Sequence, residues 1–318
     1  MGMTAERRIL TLTLNPSLDL SCEAEAVRPV RKIRTFGESF DPGGGGVNVA
    51  RVLRELGGDP LAVITAGGVA GRFLEDLLDQ AGVPRRSVPI AGNTRISQVV
   101  QDRASGLEYR FVPEGPALDE AECQAALAAL DAEPADWVVL SGSLPRGVPE
   151  DFYARAAAQA RALGRKVALD TSGAALRAAI ATPGLVDLVK PSLGEFEALL
   201  GRELREAEAV EDAAADFARS GAAALVAVTL GHRGAVLASA EGKRWRLPAP
   251  DVPLRGASGA GDSFVAAMVL ALSRGAAPED ALAWGSAAGG ATVAATGTAH
   301  AKRAEVETLH AAMRRQLR

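Results

Sequence analysis

The sequence predicts an α/β fold: a mainly parallel sheet with helices on both faces, plus a small β-lid. Three observations predict it. Short apolar β-type runs alternate with Ala/Leu-rich helical stretches along most of the 318 residues, the pattern of βαβ units. Two segments break that rhythm and read as half-exposed strands. Hydrophobic residues make up 48% of the chain, enough to bury a large core without metals or disulfides.

The core elements follow in order. Residues 9–14 read as a strand and 47–56 as a helix. A strand over 61–66 precedes a helix over 73–81, and a strand over 137–141 precedes a helix over 149–163. Strands over 167–170 and 185–190 each lead into a helical segment. In the first segment that breaks the rhythm, Leu18, Leu20, Cys22 and Ala24 alternate with Asp19, Ser21, Glu23 and Glu25. The partner of this strand is expected over 33–40. In the second, 95–101 and 107–112 flank the turn-like 102–106, a hairpin signature. The core is then expected to comprise 1–18, 41–94 and 113–318, and the lid 19–40 and 95–112.

Composition excludes several functions. Net charge is -4 and the pI about 5.6, which gives nucleic-acid binding no electrostatic support. Cys22 and Cys123 make neither a disulfide framework nor a zinc pattern, and they suit a reducing cytoplasm. His232, His300 and His310 show no metal-ligand spacing. The N-terminus lacks a signal-peptide stretch, and Glu6 occupies the position where a myristoylation motif needs Ser or Thr. The longest apolar run, 264–272, is too short to span a bilayer. A cytoplasmic protein with no membrane or nucleic-acid partner is expected.

Four stretches carry chemistry. In Gly259-Ala260-Gly261-Asp262, small residues open an apolar helix, so the first free N–H groups face a ligand as an anion site. Asp262 stands where it can take a proton from a hydroxyl attacking a bound phosphate. The plainer alternative is an ordinary loop capped by Asp262. In Gly43-Gly44-Gly45-Gly46-Val47-Asn48, four glycines bring backbone close to a ligand, and Asn48 offers a donor and an acceptor to sugar hydroxyls. A flexible turn is the alternative; neither a dinucleotide fingerprint nor a Walker A loop fits. In Lys190-Pro191-Ser192-Leu193-Gly194-Glu195, Lys190 is placed to meet nucleotide phosphates and Glu195 to hold Mg2+ through water. A simple capping box between Ser192 and Glu195 is the alternative. Thr229-Leu230-Gly231-His232-Arg233-Gly234-Ala235 reads as strand–turn–strand, its glycines edging a nucleotide pocket or merely closing a hairpin.

In this order, the stretches resemble the PfkB carbohydrate kinases, which have the ribokinase-like fold. The likeness runs from Thr11-Leu12-Thr13-Leu14-Asn15-Pro16-Ser17-Leu18-Asp19 to the small-residue stretch around 287–297. Asn15 to Asp19 and Ser141-Gly142-Ser143-Leu144-Pro145 resemble the phosphosugar branch. Gly45, where related groups carry lysine, and Tyr109-Arg110-Phe111-Val112 resemble the minor 6-phosphofructokinases. The resemblance implies ATP and Mg2+, with K+ as a further ion. It implies Asp262 as base, with Gly259, Ala260 and Gly261 holding the γ-phosphoryl group. Asp19, Gly43, Gly44, Gly45, Asn48, Arg95 and Ser143 would bind the sugar phosphate. Lys190, Ser192, Thr229, Gly231 and Gly234 would bind ATP. Ser192 departs from the family's asparagine.

Lys32 and Arg34, two apart on an expected strand, share one face there; with Arg95 they form a cationic lid suited to a sugar phosphate. Plain surface charge is the alternative. Rival activities are tagatose-6-phosphate kinase and 1-phosphofructokinase. A non-catalytic sensor on the same scaffold has no need of the base at Asp262. A homodimer joined through the lids is expected, because a small sheet standing off the core cannot cover its own apolar face.

Overall fold

The computed structural model of the protein describes residues 8–256, 258–295 and 301–317. Residues 1–7, Ala257 of the glycine-rich turn, Gly297 and His300 lie outside the described residues. The chain runs β1 (Arg8–Thr13), β2 (Ser17–Ala24), β3 (Thr35–Gly43), α1 (Gly45–Glu55), β4 (Asp59–Ala66), α2 (Gly68–Gln80), β5 (Arg85–Pro89), β6 (Arg95–Asp102) and β7 (Glu108–Phe111). It continues through α3 (Glu120–Asp131), β8 (Trp137–Ser141), α4 (Phe152–Ala162), β9 (Lys166–Asp170), α5 (Gly173–Ile180), β10 (Leu188–Val189), α6 (Leu193–Leu200) and α7 (Ala207–Arg219). The last part is β11 (Leu225–Thr229), β12 (Ala235–Ser239), β13 (Arg244–Leu247), α8 (Ala260–Ser273), α9 (Pro278–Ala294) and α10 (Arg303–Arg314).

Nine strands form the main sheet, in the order β13-β12-β11-β10-β9-β8-β1-β4-β5. From β11 to β5 every pairing is parallel; β12 and β13 join antiparallel at one edge. Side chains alternate between the two faces, as pleating requires. Leu10, Leu12, Val138, Leu140, Val167 and Leu169 face α3, α4, α5 and α7. Ile9, Val139, Ala168 and Ala227 face α1, α8, α9 and α10. A sheet buried on both sides favours near-continuous apolar runs; β8 and β9 come close to this, while β1 carries the buried Thr11 and Thr13.

Several boundaries differ from the sequence-based expectation. The strand expected over 185–190 is only Leu188–Val189. Helix α2 begins at Gly68, five residues before the expected start, on a left-handed glycine that the apolar pattern does not register. Helix α4 starts at Phe152, after the turn that follows Pro149.

The second sheet has the order β3-β2-β6-β7. Strands β2 and β3 pair antiparallel, β2 and β6 parallel, β6 and β7 antiparallel. It takes in Ser17 and Leu18 at one end and 41–43 at the other, residues that the sequence pattern assigned to the core. Lys32, Ile33 and Arg34 are not on a strand; β3 begins at Thr35. Pro29 lacks the N–H a ladder needs, Val30 turns left-handed at φ 62°, and a bulge between Ser21 and Glu23 shifts the register. The expectation that Lys32 and Arg34 share a strand face is therefore corrected; both are exposed in the connection before β3.

Candidate active site

The site lies where the C-terminal ends of the main strands meet the second sheet, the position α/β folds reserve for ligands. The glycine turn after β3 packs onto the tips of β1 and β8. A β-carbon on Gly45 would strike the Ser141 hydroxyl, and one on Gly46 the Thr13 hydroxyl. One on Gly43 would strike the Asp19 carboxylate, so the turn is glycine because the floor of the site is there.

Across this floor stands α8. Gly259 caps it in the left-handed region at φ 76°, and Asp262 lies in the first turn. Asn48, on α1, donates from Nδ2 to Asp262 Oδ2 at 2.8 Å, joining two motifs 214 residues apart. Burial pushes the Asp262 carboxyl up to about 6, and the nearby Asp170 charge adds to this; the Asn48 bond and the Lys190 ammonium oppose it. A carboxyl near 6 is ionised at neutral pH yet basic enough to accept a proton.

Lys190 is buried and ion-paired to Asp170 at 3.1 Å. Burial alone would depress the ammonium, but Asp170 holds it above its ordinary value and keeps it charged. A β-carbon on Gly261 would stand 3.1 Å from Lys190 Nζ, so this charge lies against the glycine turn of α8. Ser192 caps α6: its backbone N–H donates to Glu195 Oε2 at 2.7 Å and its hydroxyl to the same oxygen at 2.8 Å. The capping-box alternative is thus the geometry present. One Glu195 oxygen serves the cap, and the carboxylate is close enough to influence Asp170 and Lys190 electrostatically.

Ser192 bridges to Thr229 on β11, which pairs with β12 across the short turn at Gly231 and Gly234. Thr229, Gly231 and Gly234 line a cavity of about 680 Å³ together with Ala260 and Gly261. Another part of its wall comes from Val252, Phe264, Ser286 and Val293. This wall has no motif of its own; the small residues around Gly289 were its only trace in the sequence.

Asp19 and Arg95 stand on neighbouring strands of the second sheet. Burial raises the Asp19 carboxyl, against a 2.6 Å bond from Ser17 and the charges of Arg95 and Arg51. Arg51 is ion-paired to Asp41 at 2.8 Å, opposite Asp19 in the β2–β3 register. Ser143 is exposed at the turn after β8. Arg110 on β7 donates to Ser258 Oγ at 2.8 Å, so the second sheet touches the glycine turn directly. Sequence reasoning assigned no role to Asp170, Arg51 or Arg110.

The site therefore brings together Asp262, Asn48, Gly261 and Lys190 in one group, Asp19, Gly43, Arg95 and Ser143 on the floor beside it, and Thr229, Gly231 and Gly234 around the cavity. It does not place Lys32 and Arg34 on a common strand face with Arg95.

A family model described as pfkB family carbohydrate kinase matches residues 13–305. An ATP-dependent 6-phosphofructokinase isozyme 2 of Mycobacterium tuberculosis is 41% identical over 302 residues, covering 94% of this chain and 88% of that protein. Two crystal structures of phosphofructokinase-2 from Escherichia coli, one in complex with fructose-6-phosphate and one with potassium, have TM-scores of 0.91 and 0.93. Each is 37% identical and covers 97% of this chain and 99% of that one. The architecture is ribokinase-like, and the chain belongs to the pfkB family of carbohydrate kinases.

Proposed function

We propose that the protein transfers the γ-phosphoryl group of ATP to a hydroxyl of fructose 6-phosphate, giving fructose 1,6-bisphosphate, ADP and a proton. The observation that carries this reading is the 2.8 Å bond between Asn48 and Asp262, at the junction of the cavity and the Asp19–Arg95 floor. A base oriented by an amide, beside free helix amides and a buried ammonium, is what phosphoryl transfer requires.

In the proposed mechanism ATP lies in the cavity, its phosphates directed at the α8 N-terminus. The amides of Gly259, Ala260 and Gly261 hold the γ-phosphoryl oxygens, and Lys190 balances charge developing toward the leaving group. Asp19, Gly44 and Asn48 orient the sugar while Arg95 and Ser143 take its phosphate. Asp262 accepts the proton of the attacking hydroxyl.

Mg2+ would neutralise the nucleotide phosphates. Among the described residues no group of three or more His, Cys, Asp or Glu forms a protein-only metal site. Glu195, close enough to Asp170 and Lys190 to act on both electrostatically, would reach the ion through water. The potassium complex of the Escherichia coli relative supports K+ as a second ion.

Gly45 and the similarity to 6-phosphofructokinases favour fructose 6-phosphate over tagatose 6-phosphate and fructose 1-phosphate. Lys32 and Arg34, in the connection before β3, are proposed as further phosphate cations. A coupled ADP-release assay over the three phosphosugars tests the reading. The highest kcat/KM is expected for fructose 6-phosphate; a clearly higher value for either rival replaces it, and sugar-independent ATP hydrolysis alone rejects it. No helix among the described residues is long and apolar enough to cross a membrane, and both cysteines are free and buried, in keeping with a cytoplasmic enzyme.

A homodimer through the second sheets is part of the proposal. Of Leu18, Leu20, Cys22 and Ala24, the apolar face expected to need a partner, Leu20 is half-buried and the other three are buried within the chain, with Val27 and Tyr109 packed on Cys22, Ala24 and Val100. Phe40, Ile96 and Phe111 remain exposed on strands of the same sheet and supply the apolar area for association.

A further inference from the structure

We infer that Asn15 is a positioning residue that fixes Arg95 and Ser143 as one phosphate grip. The inference rests on the phosphosugar reading above and deepens it. Asn15 follows β1 and is 5% exposed, so it is placed to act through its neighbours. Its side-chain Nδ2 donates to the Glu114 carbonyl at 2.9 Å and reaches Ser143 Oγ at 3.4 Å. Its own carbonyl accepts from Arg95 Nη2 at 2.9 Å, while Arg95 Nη1 donates to the Pro113 carbonyl at 2.9 Å. One residue therefore ties together the end of β1, the chain leaving the second sheet after β7, and the turn carrying Ser143.

The loop is shaped to receive this amide. Gly115 sits at φ 92°, where a side chain is strained, and a β-carbon there would collide with Asn15 Oδ1. The two backbone bonds to Arg95 use two of its five N–H donors, leaving three for an anion. Nε–H is among them, buried and without a partner among the described residues. Without the Asn15 side chain Arg95 keeps its bond to the residue 15 carbonyl, but the Glu114 segment that presents the Pro113 carbonyl, and the Ser143 hydroxyl, lose the amide that fixes them. An arginine that must find its geometry on each binding event binds more weakly than one held in place.

The test is Asn15→Ala, assayed on whichever phosphosugar the wild type uses best. The sugar-phosphate KM is expected to rise about 3- to 10-fold, the range for one lost buried hydrogen bond. The ATP KM should stay within about 2-fold. In an Arg95→Ala background the same substitution should raise the sugar-phosphate KM by less than it does in the wild type, because part of the effect of Asn15 runs through Arg95. Equal rises in both KM values, or full additivity with Arg95→Ala, would overturn the assignment. Amide exchange gives a readout independent of turnover. The peptide over 113–118 should exchange faster in Asn15→Ala while the main sheet stays protected. Unchanged protection there rejects the scaffold role whatever the substrate. A wild type inactive on every phosphosugar would sink the substrate reading alone, with exchange still deciding Asn15.

Discussion

Asp262 is asked to be a base, and its environment sets the pH at which it serves. Its carboxyl, pushed up to about 6 by burial, must be ionised to accept a proton. In a steady-state pH series kcat/KM should be level above about pH 7 and fall about tenfold per unit below about 6. Asn48→Ala removes a bond that favours the ionised form, so the acid limb should move to higher pH; a limb that stays put would separate Asn48 from the base. Asp262→Asn should lower kcat by about 10²-fold or more while the ATP KM changes little. Lys190 makes a stability statement as well. Lys190→Met leaves Asp170 buried without its partner and should cost about 3–5 kcal/mol, read as a lowered unfolding midpoint. The added change Asp170→Leu should recover much of the stability and none of the activity. Asp262 and Asn48 were legible in the sequence because each sits beside glycines that advertise a ligand. Asp170, Asn15 and Arg51 were not, because each matters only through a partner that folding supplies: Lys190, Glu114 and Asp41.

Among the elements, the two helix starts at the site are built in opposite ways. Helix α8 begins on Gly259 at φ 76°, and a β-carbon there would meet no described residue, so the expected cost of Gly259→Ala is the left-handed penalty, about 1–2 kcal/mol. The stability loss should be modest and the kcat loss larger, because the first amides are aimed by that turn. Helix α6 instead begins on a complete capping box. Ser192→Ala should cost about 1 kcal/mol in denaturant unfolding, whereas Ser192→Asn, the family's residue, should be close to neutral because asparagine caps equally well. This explains how the chain tolerates serine there. The βαβ rhythm was legible wherever a run was apolar throughout, as in β8 and β9. It misled at Lys32 and Arg34, because alternation alone does not see Pro29, the left-handed Val30 or the bulge after Ser21. It also stretched β10, since only two residues of that apolar run find ladder partners on both sides.

At the scale of the whole molecule, association and catalysis are expected to be linked through the second sheet. Phe111→Asp places a charge on the exposed apolar face without touching Arg95 or Asp19. Light scattering at micromolar concentration should report about twice the 32.7 kDa chain mass for the wild type and a shift toward one chain for the variant. A monomeric, fully active wild type would remove the dimer from the proposal.

The parallel pairing of β2 with β6 has a further consequence, for how the protein comes into being. Ser17 lies against Arg95, so this ladder closes only after β3, α1, β4, α2 and β5 have been laid down between them. Such long-range pairings form slowly, since the entropy of closing the intervening chain is spent before any contact rewards it. The proposed base arrives later still, on α8 beyond residue 260. During synthesis the residues of the proposed floor, up to Ser143, are therefore all in the chain before the proposed base has been translated.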